Sequence, residues 1–248
     1  MPILEQAATT LARGRAVVLA GPWLMAAAGL APPESHGGLW DRWGVTRCAT
    51  AAALDDSPEI AWQAFAEYRA AVLEVTARPE GPSPAHRALA TLASLELLRG
   101  VITTTTDGLI RAAGVERVAE LFGAIDRLRC RGCRHITEHR AHVVVAPRCA
   151  LCGEALRPDM VLFGEPMPRA PRELAANWVY GGRSLLILGA DIGRPPLRPI
   201  PLEMRQEGGQ VIALGEVDRE ALAAVGGLHV EGALNVVLPA MVELLRLG

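Results

Sequence analysis

Lysine is missing from this chain: all 25 cationic side chains among its 248 residues are arginines. With so much alanine and glycine alongside, the bias has the look of GC-rich coding, and no function is drawn from it. A surplus of charge is missing too. The formal net charge is -2 and neither sign gathers in blocks, so the charge balance singles out neither nucleic acid nor an anionic membrane as partner. There is also no long unbroken apolar run. The longest charge-free stretch, residues 16–33, follows Arg13 and Arg15, but Pro22 and several glycines interrupt it and Glu5 lies ahead of it. That makes a poor signal peptide and no membrane span, and the expectation is a cytoplasmic protein. Internal repeats and low-complexity tracts are lacking as well. What is present is a chain half apolar and long enough to bury a substantial core.

The apolar runs alternate between two periods. Ala16–Ala20 is a short buried-strand pattern that ends in Gly-Pro. Across residues 58–77, Ile60, Ala64, Tyr68, Val72 and Val75 recur at helical spacing. Ser83 and Pro84 open a second helix, a capping serine followed by a first-turn proline, which is expected to run to Gly100. His86 reads as part of that helix start. Residues 101–105 are β-branched, and the apolar runs Ser184–Leu188 and Gln210–Leu214 end in Gly189 and Gly215. Residues 230–247 read as one apolar helix. Strands that end in glycine and alternate with helices imply an α/β fold, a doubly wound parallel sheet with ligands at the carboxyl ends of its strands.

The most specific signal is in the cysteines. Cys130 and Cys133, then Cys149 and Cys152, each enclose two residues, and fifteen residues separate the pairs, within the range of a four-cysteine zinc ribbon. Gly132 and Gly153 suit such knuckles. Four thiolates complete a tetrahedron and leave no place for water, so the expected zinc is structural. Two redox disulfides are the other reading of the same spacing. Cys48 falls outside the pattern and reads as a small core residue, while His135, His139 and His142, between the pairs, are expected to be solvated.

Residues 153–168, GEALRPDMVLFGEPMP, closely resemble the segment that follows the last zinc cysteine in the sirtuin family. PSPAHRALA (82–90), ITTTTDGLIRAAG (102–114), ELFG (120–123) and Gly38-Leu39-Trp40 fall in sirtuin order. The resemblance thus spans nearly the whole chain. It implies a Rossmann-like large domain from residues 1–40, 82–125 and 157–248, with an inserted small module made of a helical part, 41–81, and a zinc ribbon, 126–156. It also implies NAD-dependent deacylation of protein lysines, in which a histidine base activates a ribose hydroxyl.

Several positions depart from the family pattern. The histidine of its Glu-Leu-His-Gly motif is Phe122 here, and phenylalanine accepts no proton; loss of a general base costs about a hundred- to ten-thousandfold in rate. The Gly-Ala-Gly-x-Ser phosphate loop becomes Gly21, Pro22, Trp23, Leu24 and Met25, and an indole at Trp23 is expected to fill the place of the phosphates. Asp-Phe-Arg becomes Pro32, Pro33 and Glu34. Gln-Asn-x-Asp keeps only Asp107, behind Thr104 and Thr105. Gly-Thr-Ser becomes Gly189, Ala190 and Asp191, adding a charge that repels phosphate, and Gly215 replaces the adenosine-side asparagine. Gly21, Asp107 and Gly189 are what remains of the cofactor-binding set, and the replacements argue against retention of NAD. By contrast Val161, Phe163, Gly164 and Glu165 match the loop on which sirtuins take an extended peptide by β-augmentation, although Val161 and Phe163 could equally serve packing. His36, in the loop after the altered phosphate motif, is the one histidine within reach of a reorganised site, but a lone loop histidine is usually solvated.

The first expectation is a pseudoenzyme with a structural zinc that binds a protein or acyl-lysine peptide, or pairs with an active partner subunit. The alternative is an active NAD-dependent protein lysine deacylase, or an ADP-ribose- or NAD-processing enzyme, with a rearranged site. A zinc-ribbon nucleic-acid binder ranks last, because Arg129, Arg131, Arg134, Arg140 and Arg148 come without interleaved aromatics.

Overall fold

The computed structural model describes residues 2–140 and 143–247. Nine strands occur among them: β1 (Ala16–Ala20), β2 (Leu98–Thr103), β3 (Val118–Glu120), β4 (Gly123–Cys130), β5 (Ile136–Glu138), β6 (Leu156–Met160), β7 (Ser184–Leu188), β8 (Gln210–Leu214) and β9 (Leu228–Val230). Six form a parallel sheet in the order β3-β2-β1-β7-β8-β9. β1 and β7 are buried along their whole length, which is why they read as unbroken apolar runs. Their alternation divides two cores. Val18 and Ala20 join the core against the helices Pro2–Leu11, Pro84–Ser94 and Leu234–Leu247; Val17 and Leu19 join the one against Arg169–Tyr180 and Pro199–Gln206. The strand order reverses between β1 and β7, so the crevice of this doubly wound α/β sheet lies at their carboxyl ends.

The other three strands form an antiparallel sheet, β5-β4-β6. The helix Pro58–Thr76 supplies Trp62, Phe65, Tyr68 and Val72 at spacings of three and four, and this stripe shares one core with Leu128, Cys130, Leu156 and Met160. Arg69 of the same helix donates its Nε–H to the carbonyl of His139 at 2.8 Å. Ion pairs join the two sheets. Glu120 of β3 accepts from Arg111 Nε at 2.8 Å and from Arg127 Nη2 at 2.6 Å, while Arg127 Nε reaches Asp159 at 3.1 Å and Arg111 Nη2 reaches Asp126 at 2.7 Å.

Three element boundaries differ from the sequence reading. The apolar segment 230–247 is divided: β9 ends at Val230 and the helix starts at Leu234, because a short apolar run beside a helix has no periodicity of its own. The helix opened by Ser83 stops at Ser94, since the chain from Leu98 already belongs to β2. β2 ends at Thr103, whose Oγ1 accepts the N–H of Thr105 at 3.0 Å and turns the chain out of the sheet. Among the described residues no helix is long and apolar enough to cross a membrane.

Candidate functional site

Two loops meet at the crevice. A Cβ on Gly21, just after β1, would lie 2.4 Å from both Gly189 O and Ala190 Cα. One on Gly189, where φ is +60°, would lie 2.4 Å from Trp23 Cβ. Both positions therefore require glycine. The backbone donors of the first loop are spent in the same contact. Gly21 N donates to Leu188 O at 3.0 Å, Pro22 has no N–H, Trp23 N donates to Gly189 O at 3.2 Å, and Leu24 N donates to Gly21 O at 3.0 Å.

The short helix Pro22–Ala26 then divides the crevice. Pro22 and Met25 line a cavity of ≈ 590 Å³ on one side. Trp23, Ala26 and Ala27 line a second, also ≈ 590 Å³, with Gly215, His229 and Asn235. Trp23 was expected to fill the phosphate place with its indole. Instead the residue is 53% exposed at the second cavity, and its backbone and Cβ make the closure against Gly189.

The first cavity brings together most of the residues singled out from sequence. Phe122, at the turn between β3 and β4, lines it with Val161, Phe163, Gly164 and Glu165, and the loop after β2 adds Thr104, Thr105 and Thr106. Phe122 O accepts the N–H of Val161 at 2.9 Å, and Phe163 N donates to Ala49 O at 2.9 Å. Phe163 is 51% exposed and meets Trp40 edge to face, centroids 6.2 Å apart. Burial would raise the carboxyl of Glu165, but the Arg157 guanidinium bonded to it and the N–H of Leu162 override this and hold it below the usual carboxylate range. With the N–H groups of Val161, Leu162, Phe163 and Glu165 all donating within the protein, a peptide laid along this loop would find carbonyls more readily than donors.

Gly21, Asp107 and Gly189 are buried and line neither cavity. Asp107 Oδ1 accepts the N–H of Leu109 at 2.7 Å and lies 3.5 Å from Thr105 Oγ1, while Oδ2 has no partner among the described residues. Burial pushes this carboxyl up to about 7, against the lowering effect of the Leu109 N–H. Tyr68, read from sequence only as part of a helical stripe, and Arg157 and Arg194, not singled out there, complete the surroundings. Tyr68 OH meets Thr106 Oγ1 at 3.1 Å across a long stretch of chain, which no local spacing marks, whereas Arg194 Nε reaches Asp191, three residues back, at 2.7 Å, a spacing the sequence does offer.

The four cysteines converge away from the crevice, with all sulfurs within 4.8 Å of one another. Cys130 and Cys152 are 3.4 Å apart and Cys133 and Cys149 3.7 Å. A tetrahedral ion about 2.3 Å from each sulfur needs sulfur separations of about 3.8 Å, so the set fits a zinc ion and none of the five cysteines is in a disulfide. Cys48 is a buried core residue whose thiol burial raises to about 11, against the lowering effect of Arg47. His135 is exposed. His139 is not solvated: it is fully buried, with Nδ1 2.7 Å from Ile125 O and its ring edge-on to Trp62, and burial lowers its pKa. His142 lies outside the described residues. His86 is paired through Nδ1 with the capping Ser83 at 2.8 Å, and His36 is exposed beside Asp41.

The Sir2 family model, the family of the sirtuins, matches residues 24–192. The chain is 32% identical to an NAD-dependent protein deacylase of Thermococcus kodakarensis over 253 residues, covering 98% of this chain and 95% of that one. NAD-dependent protein deacylase 2 of Pyrobaculum aerophilum is 34% identical over 228 residues, covering 92% and 89%. A solved Sir2 homologue–NAD complex superposes with a TM-score of 0.84 at 27% identity, covering 98% and 93%. Sir2Af2 bound to a myristoylated histone peptide gives 0.72 at 25%, covering 99% and 97%.

Proposed function

We propose, from the premise that this chain belongs to the Sir2 family, that it is a binding protein on a deacylase scaffold, its own deacylation impaired. The observation that carries this reading is Phe122, which lines the first cavity at the position matching the family's histidine base. Among the described residues no histidine lines that cavity; its ionisable groups are Glu34, Glu165, Asp191 and Arg194. The loop Val161–Gly164–Glu165 with Phe163 would hold an extended protein segment, and a zinc ion on Cys130, Cys133, Cys149 and Cys152 would stiffen the small module formed by residues 41–81 and 126–156.

A solved Sir2 homologue forms an NAD complex, but several residues of this chain argue against a pyrophosphate. The N–H groups of the Gly21–Leu24 loop are engaged or absent, and Glu34 brings a negative charge with no ion-pair partner among the described residues, whereas Asp191 is paired with Arg194. No step through NAD is therefore assigned, and the protein would act in the cytoplasm as a partner for other proteins, an active subunit among them. The second reading, an active NAD-dependent deacylase, is favoured by relatives of that name that match nearly the full length of this chain.

Calorimetry with NAD and ADP-ribose, followed by nicotinamide release with acyl-lysine peptides, separates the two. Turnover should be at least about a hundredfold below that of an active relative assayed in parallel, and Phe122→His alone should not restore it because the phosphate loop stays closed. Micromolar NAD binding with ready turnover, or robust deacylation by the single variant, would decide for the enzyme.

A further inference from the structure

The first cavity is charged in a way that neither an anion nor a neutral amide exploits. Three carboxylates and one guanidinium line it: Glu34, Glu165, Asp191 and Arg194. Arg194 is held by Asp191, and Glu165 is held by Arg157 Nη2 at 2.9 Å. Glu34 alone of the four has no hydrogen bond or ion pair among the described residues, and it is exposed to the cavity mouth.

Three aromatic rings, Trp40, Phe122 and Phe163, line the same space. The interplanar angle of 81° between Trp40 and Phe163 sets two ring faces toward different directions of approach. Ring faces carry partial negative charge and attract a cation. Hydroxyls that could bond an amide are mostly engaged: Thr105 Oγ1 pairs with Thr103 Oγ1 at 3.0 Å and Thr106 Oγ1 with Tyr68 OH at 3.1 Å. Anions find no free N–H on the Gly21–Leu24 loop.

We infer that the cavity receives an alkylammonium group, the end of a lysine or methylated lysine side chain on the bound protein segment, with Glu34 as counter-charge and the three rings as its walls. The inference rests on the reading that residues 161–165 hold such a segment, and it reverses the charge of the occupant relative to an acyl-lysine. A cation between rings and a carboxylate gains from both, and the hydrophobic stem packs on Met160, Leu162 and Leu197, which also line the space.

The test is a calorimetric titration of the full chain with short peptides identical except for one central residue: lysine, trimethyl-lysine, acetyl-lysine or norleucine. Lysine and trimethyl-lysine should bind about fivefold or more tightly over the two neutral peptides. Glu34→Gln, at an exposed position, should fold normally and cut that preference by about twofold or more, the rings keeping the remainder. Equal or tighter binding of acetyl-lysine or norleucine overturns the inference while leaving the groove reading intact, and a cation preference unchanged by Glu34→Gln overturns it too. Failure of all four peptides to bind removes the groove reading and this inference together.

Discussion

At the scale of single residues, the clearest physical oddity is Asp107, a carboxyl 1% exposed with one oxygen unpartnered. Its pKa in the folded chain is near 7 instead of the ordinary 3.8, so the fold favours its protonated form. The stabilising effect is full below about pH 3.8 and is lost as pH rises through 7, each unit of separation being worth about 1.4 kcal/mol. Asp107→Asn keeps an acceptor for the N–H of Leu109 and removes the titration. Urea unfolding of the two proteins at a series of pH values should therefore show the variant gaining stability relative to the parent between pH 4 and pH 7, and a constant difference would refute the raised pKa. Legibility at this scale followed spacing. The four cysteines could be read because a metal demands thiols at fixed intervals, and Phe122 because it stands within a recognisable motif. Burial of His139 and the desolvation of Asp107 come from the helix Pro58–Thr76 and from loops far along the chain, which no local pattern announces.

At the scale of elements, the contact between the two sheets turns on Glu120, whose side chain is 11% exposed and bridges two arginines. Glu120→Gln leaves Arg111 and Arg127 short of a counter-charge, although Asp126 and Asp159 retain them in part. The expected cost is about 1–3 kcal/mol, seen as a lower urea midpoint with an unchanged slope; a midpoint equal to the parent's would mean the pairs are solvent-screened. Strands β7 and β8 were legible to their ends because they are apolar runs closed by glycine. β4 and β6 were not. β6 reads LRPDM, where Leu156, Pro158 and Met160 alternate with Arg157 and Asp159, but a central proline demotes so short a run as a strand, and β4 carries a register irregularity between Ala124 and Leu128 that breaks its alternation. The short helix Pro22–Ala26 that splits the crevice was also invisible, since a one-turn helix has no period to detect.

At the scale of the whole molecule, the sulfur cluster and the helix Pro58–Thr76 belong to one core, for Cys130 and Cys149 pack with Trp62, Phe65 and Tyr68. Removing the ion with a strong chelator should loosen the segments 41–81 and 126–156 together. Hydrogen exchange would then show lost protection there while β1, β2, β7 and β8 stay protected; uniform loss across the chain, or none, would contradict the assignment. The architecture of the large sheet was legible in outline because its alternation of strand and helix is written into the sequence, whereas the pairing of two distant segments into one core is a property of the closed chain only.

That pairing also sets a timetable for synthesis. The apolar stripe of the helix ending at Thr76 shares its core with Met25, Leu39 and Leu54, already made, but its cover from the small sheet is incomplete until Leu156 and Met160 have been made, about 80 residues later, which at ordinary translation speeds is about 4–16 seconds. For that interval Trp62, Phe65 and Val72 are only partly covered on the ribosome, and a nascent chain in this condition is a natural client for a holding chaperone.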